Sequence, residues 1–165
     1  MQFQRRKTIP ARQRWSKTHL KDIRCQRHMC SFTDGVAYTR FLVSDHKLAI
    51  EELRHANRSW RYVERESRLC RFCHAGVEDE CHALLVCTGH PRLSRLRADF
   101  LRDVFTSQPD LRRMTSASAY DFLLTLVANH NLTAHVARLV YEVFRVYEEK
   151  ELYVPPTHFI RADNP

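Results

Sequence analysis

Leu69–Cys87 reads LCRFCHAGVEDECHALLVC and carries Cys70, Cys73, His82 and Cys87 in the order C-x2-C-x8-H-x4-C. A closed structural zinc site takes four thiolate or imidazole ligands at tetrahedral corners. Cys-x-x-Cys supplies two thiolates from one tight turn, a knuckle whose backbone amides point back at the sulfurs. His82 and Cys87 come from the following segment, where a helical turn with a slight distortion brings both onto one side. Glu78, Asp79 and Glu80 precede that segment, where carboxylates favour a helix N-terminus, and Ala83, Leu84, Leu85 and Val86 give it apolar surface to bury. Each of the four residues alone is equally compatible with an ordinary core, since free cysteine is among the most buried residue types. Their combination within eighteen positions points to zinc. His74, Cys81 and His90 flank the proposed ligands, and each is a possible replacement for one of them.

Composition agrees with metal rather than disulfides. The 165 residues are 44% hydrophobic and 28% charged, ordinary for a soluble domain, and long enough to bury a core. Six cysteines could make three disulfides in a secreted chain, but the N-terminus is too charged for a secretory signal. An intracellular chain, nuclear or cytoplasmic, is therefore expected. No apolar run approaches the roughly 18 residues of a membrane span. The net charge of +8 is concentrated in residues 1–30, which hold nine Lys and Arg against Asp22. Such an arm suits polyanions, through an attraction that weakens steeply with salt. A solvated leader or a nuclear-import signal has the same composition.

Upstream and downstream of the quoted stretch a further set of residues falls in order. Arg40, His46, Leu48, Ile50 and Glu51 are followed by Arg68, Cys70 and Cys73, then by Glu78, Asp79, Glu80, His82, Leu84, Leu85 and Cys87. This order resembles the zinc-binding region that follows the reverse transcriptase in non-LTR (LINE-type) retroelement polyproteins. The likeness covers residues 38–87, with a looser likeness in the helices after them. It implies a module that sat behind a polymerase and helped hold RNA or target DNA during priming.

Helices are expected throughout, since the chain has only three glycines and no long alternating pattern. In residues 1–16 the composition predicts a disordered or loosely helical stretch, with Phe3 and Trp15 available for stacking on bases. Ser16–Cys30 can form a short helix with Leu20, Ile23 and Met29 roughly on one side; Cys25, His28 and Cys30 read as ordinary side chains there. Thr33-Asp34-Gly35 reads as a turn, Asp34 as a cap, and residues 37–43 as a helix. Ser44 offers an N-cap to a second helix over 45–55, in which His46 reads as a ligand, a phosphate contact or, best, a capping or packing side chain. Residues 57–68 are polar, with Arg58, Arg61 and Arg65 interleaved by Trp60 and Tyr62. Arg71 lies in the knuckle itself. Basic residues mixed with aromatics suit single-stranded nucleic acid, and these four arginines are the candidate phosphate contacts. Glu64 and Glu66 weigh against it, and a linker with docked aromatics reads equally well.

Gly89 and Pro91 end one helix and open the next, over 91–106, with Arg92, Arg95, Arg97 and Arg102 along its outer surface. A connection follows to Met114, then a helix capped by Ser116 or Ser118 and running to Asn129. A long final helix starts at Thr133, and an extended tail begins at residue 153. The expected organisation is a basic arm (1–30), a zinc-knuckle helical domain (31–106), C-terminal helices forming a hairpin on it (107–152) and the tail (153–165).

Catalytic patterns are poor. The Asp-Asp pair of a polymerase is absent. Some retroelements place a restriction-like endonuclease behind such a knuckle, and Pro109-Asp110 with Asp121 imitate its acids, but Asp121 opens a helical pattern and no Lys follows it closely. The expectation is a small, mostly α, non-catalytic domain built on one Cys-Cys-His-Cys zinc knuckle, binding single-stranded or structured RNA or DNA. The competing readings are a zinc-stabilised protein-interaction module, an orphaned element fragment, and, furthest off, an endonuclease remnant.

Overall fold

A computed structural model describes residues 31–160 apart from residue 117, and the expectations for residues 1–30 and for the last five residues lie outside that range. The described chain is mostly helical and has no strand beyond isolated bridges. Its principal helices are α1 (Phe32–Val43), α2 (Ala49–Glu52), α3 (Pro91–Ser107), α4 (Ala119–Ala128) and α5 (Thr133–Glu148).

The long final helix is the hub. Val136, Leu139, Val140, Val143 and Tyr147 recur at helical spacing and are all buried. Helices α1, α3 and α4 and the turn His82–Val86 all pack against it. One hydrophobic core thus joins Tyr38, Phe41 and Leu42 of α1 to Leu84 and Cys87 of the Cys/His stretch and to Leu93, Phe100 and Val104 of α3. The same core takes in Leu123, Leu126 and Val140 from the helices after residue 106, which pack on the rest. A smaller cluster, Ala49, Leu53, Val63 and Val154 with Trp60 and Leu152, sits beside it.

The C-terminal helices follow the sequence closely. Pro91 opens α3, with His90 Nδ1 accepting the Arg92 N–H at 3.3 Å. Ser118 rather than Ser116 caps α4, accepting the Asp121 N–H at 3.1 Å. The expected connection after α3 is a 3-10 helix over Pro109–Ser116.

The N-terminal half departs further. Helix α1 begins at Phe32, with Ser31 as its cap, so Thr33-Asp34-Gly35 forms its first turn instead of a separate loop. Ser44 ends α1 in the left-handed region, at φ 58°, rather than starting a second helix. Helix α2 is a single turn, because it is capped from outside by Glu78 and stops at Leu53, whose side chain is drawn into the small cluster. The described part of the expected tail, 153–160, is not free. Residues 158–160 pair antiparallel with 59–61, through Arg61 N–H to His158 O at 2.8 Å and Ile160 N–H to Ser59 O at 3.0 Å.

Candidate metal centre

Arg68–Cys70 and Gly76–Glu78 form a minimal hairpin. Leu69 bridges Val77, flanked by Cys70 N–H to Gly76 O and Glu78 N–H to Arg68 O, both at 2.8 Å. His74 turns the tip at φ 51°, and its N–H returns to Cys70 O at 2.9 Å. This turn faces a second element, His82–Val86, which is one turn of π-helix. In an α-helix, residues five apart point about 140° away from each other. A π turn bonds residue i to i+5 and stacks them instead. Here the Cys87 N–H donates to His82 O at 2.8 Å, so the H-x4-C spacing is met by an added residue in the turn. The distortion expected from the spacing has this specific form.

Cys70, Cys73, His82 and Cys87 converge, with one donor atom from each lying within 4.8 Å of the others. Cys70 Sγ is 3.5 Å from Cys87 Sγ, and Cys73 Sγ is 3.2 Å from His82 Nε2. A tetrahedron with metal–sulfur bonds of about 2.3 Å has edges of about 3.8 Å, so the cluster is sized for one small cation. All four cysteines among the described residues are free thiols. Cys70 and Cys87 are fully buried, Cys73 and His82 partly so.

Electrostatics around the pair fit the same use. The hydrogen bond shared with Cys87 holds the Cys70 thiol far below its ordinary value, with His82, Tyr147 and the Cys73 amide assisting against burial. The same bond to Cys70, with burial, pushes Cys87 far up. Burial and the two sulfurs likewise raise the Tyr147 phenol, which lies 3.5 Å from Cys70 Sγ. The two sulfurs are close enough for one divalent cation to bind both as thiolates. Backbone amides of Cys73 and Gly89 point at the sulfurs of Cys70 and Cys87 respectively, as a metal knuckle requires.

The three acids before His82 have three separate tasks. Asp79 alone caps the π turn, accepting the His82 N–H at 2.9 Å, and it also pairs with Arg65 at 3.2 Å. Glu78 turns away and caps α2, accepting the Ala49 N–H at 2.9 Å. Glu80 pairs with the buried His46 at 3.3 Å, and His46 packs on Phe144. The flanking candidates are otherwise occupied. His74 packs edge-on to Tyr153, His90 caps α3, and Cys81 lies outside the four-residue group.

Arg71 is a correction. Its side chain is only 4% exposed, against a Glu78 that is fully buried, so no phosphate reaches it. Its Nε and Nη2 fork onto the Glu78 carboxylate, while Nη1 donates to Tyr147 O and Lys150 O and Nη2 also to Lys47 O. One guanidinium therefore ties the knuckle to the end of α5 and to the loop before α2. Arg68 does a similar job, donating to Val63 O and Ile50 O at 2.9 Å each. Arg65 is partly engaged by Asp79, whereas Arg58 and Arg61 are exposed and have no side-chain partner among the described residues.

Arg97 is a second correction. It faces inward from α3, where Nε donates to Leu84 O at 3.0 Å and Nη2 to Cys87 O at 2.9 Å. Burial lowers its pKa, and it closes the C-terminal carbonyls of the π turn. Its position three residues before Phe100 on the apolar stripe was the available signal. Asp110 and Asp121 join no metal-ligating group among the described residues, and both lie on helical segments. No helix among the described residues is long and apolar enough to cross a membrane. No protein-family model, curated protein or solved structure matches the chain.

Proposed function

We propose that the chain is a non-catalytic nucleic-acid-binding module folded around one zinc ion. The observation that carries the metal half is the convergence of three cysteines and one histidine on a volume fit for a single cation. Three thiolates and an imidazole are soft-to-borderline ligands that favour zinc over magnesium or calcium. With all four positions taken from protein, bound zinc holds the knuckle to the π turn and leaves no open position for catalysis.

Support for the nucleic-acid half is the placement of Arg58 and Arg61, two exposed and unengaged cations on the segment leading into the knuckle, together with the nine basic residues of 1–30. The resemblance to the region behind LINE-type reverse transcriptases points the same way. The residues that carry it, His46, Ile50, Arg68, Glu78, Asp79 and Glu80 among them, form one bonded frame around the ligands. RNA or single-stranded DNA is the expected ligand. A protein-interaction module is the second reading, favoured by the balance of the described domain, which carries 17 basic and 17 acidic residues over 31–160.

Elemental analysis of the purified chain should give one zinc, lost in Cys70→Ser and His82→Ala together with helical signal. Titration with single-stranded RNA across a salt series then separates the two readings. Nucleic-acid binding weakens by orders of magnitude between low and moderate salt, whereas an apolar helix interface does not. No zinc in the wild-type chain, or zinc retained in both variants, would remove the metal assignment.

A further inference from the structure

Helix α1 is apolar on two opposite sides. Tyr38, Phe41 and Leu42 face the core. Phe32, Val36 and Val43 lie within about 40° of one another on the far side at 100° per residue, and are 87%, 41% and 53% exposed. Phe32 is the most exposed of the large hydrophobic residues described. An amphipathic surface helix would place polar residues here. Three apolar side chains in one row, with Thr39 between them, form a contiguous exposed apolar surface of the kind interaction sites present.

We propose that the aliphatic residues of the N-terminal arm, Leu20, Ile23 and Met29, dock on this row. The arm arrives at the correct place, because residue 30 is separated from Phe32 by the cap residue Ser31 alone. It also has the reach. The row from Phe32 to Val43 is about 17 Å long at 1.5 Å per residue. The twelve residues from Leu20 to Phe32 span that distance whether coiled or extended. Attachment keeps the local concentration high, so a small apolar surface suffices. A second copy of the chain fits less well. The row presents on the order of 300 Å², against about 800 Å² per partner in a stable interface.

Docking would lay the arm's basic residues, among them Lys17, Lys21, Arg24 and Arg27, along one side of the domain rather than leaving them at the end of a free leader. The inference stands on the α1 surface and does not depend on what the arm binds.

Hydrogen exchange on the zinc-loaded full chain tests it. Amides of residues 20–30 should exchange about tenfold or more slowly than those of residues 1–10. That protection should vanish in Phe32→Ser/Val36→Ser, with zinc content and exchange in α5 unchanged. Leu20→Ser/Ile23→Ser, altered on the other partner, should release the arm to the same degree. Unprotected arm amides in the wild-type chain would overturn the proposal, as would protection surviving in both variants. Protection that rises with protein concentration would overturn it in favour of a second copy.

Discussion

Cys87 donates its backbone N–H to the carbonyl of His82, five residues earlier, and this single bond puts two candidate metal ligands on one side of a helical turn. The extra residue also pushes the chain outward at Val86, which is left half exposed, while Ala83 and Leu84 stay fully buried. A π turn has poorer bonding than an α turn and persists where its surroundings hold it. Asp79 holds its start and Arg97 its end, by bonds to His82 N and to the Leu84 and Cys87 carbonyls.

Asp79→Ala should therefore weaken zinc binding by about tenfold to a hundredfold, the usual effect of losing an outer support of a ligand. Asp79→Asn keeps an oxygen for the His82 N–H and should lose much less. Competition with a chromophoric zinc chelator reads both. Arg65→Ala, which removes only the partly exposed partner of Asp79, should change stability by no more than about 1 kcal/mol.

The three glycines should rank in a definite order. A Cβ at Gly89 would lie 2.7 Å from both Cys73 N and Phe72 C, backbone atoms of the knuckle that cannot give way. Gly89→Ala should cost about 1–3 kcal/mol and displace the Cys73 ligand. At Gly76 the nearest atom is His82 Nδ1 at 3.2 Å, the edge of a ring, so Gly76→Ala should tilt His82 and lower zinc affinity with a smaller loss of stability. Gly35 sits in α1 with nothing within 4 Å, and Gly35→Ala should stabilise by about 0.4–1 kcal/mol. Thermal melts with and without chelator would test the order.

The clustering of Cys70, Cys73, His82 and Cys87 was readable from the sequence because metal chemistry fixes residue type and rough spacing together. The C-terminal helices were readable because Leu93, Phe100 and Val104, and later Val136, Val140 and Val143, recur at helical periods. The region before the knuckle was harder. Its turns are closed by partners distant in sequence: Glu78 caps Ala49, and Arg68 reaches Ile50. No local pattern announces such bonds. Arg71 misled for the same reason. An arginine beside a cysteine knuckle reads as a phosphate contact, and only the fold reveals the fully buried carboxylate waiting for it. Arg97 likewise carried a charge at a position whose periodicity pointed inward.

Buried and exposed arginines should consequently separate in a single experiment. Arg71→Met leaves the Glu78 carboxylate buried with only backbone donors, a loss of about 3–5 kcal/mol, and unties the end of α5 from the knuckle. Folded molecules of that variant should bind single-stranded RNA as the parent does. Arg58→Ala/Arg61→Ala should do the reverse. Neither side chain has a partner among the described residues, so stability should change by no more than ordinary surface substitutions change it, about ±0.5 kcal/mol each. RNA affinity should fall, and the slope of log affinity against log salt should flatten by between one and two, the number of phosphates no longer neutralised. Affinity and slope left unchanged by the double substitution would take the folded domain out of the contact and leave residues 1–30 to carry it.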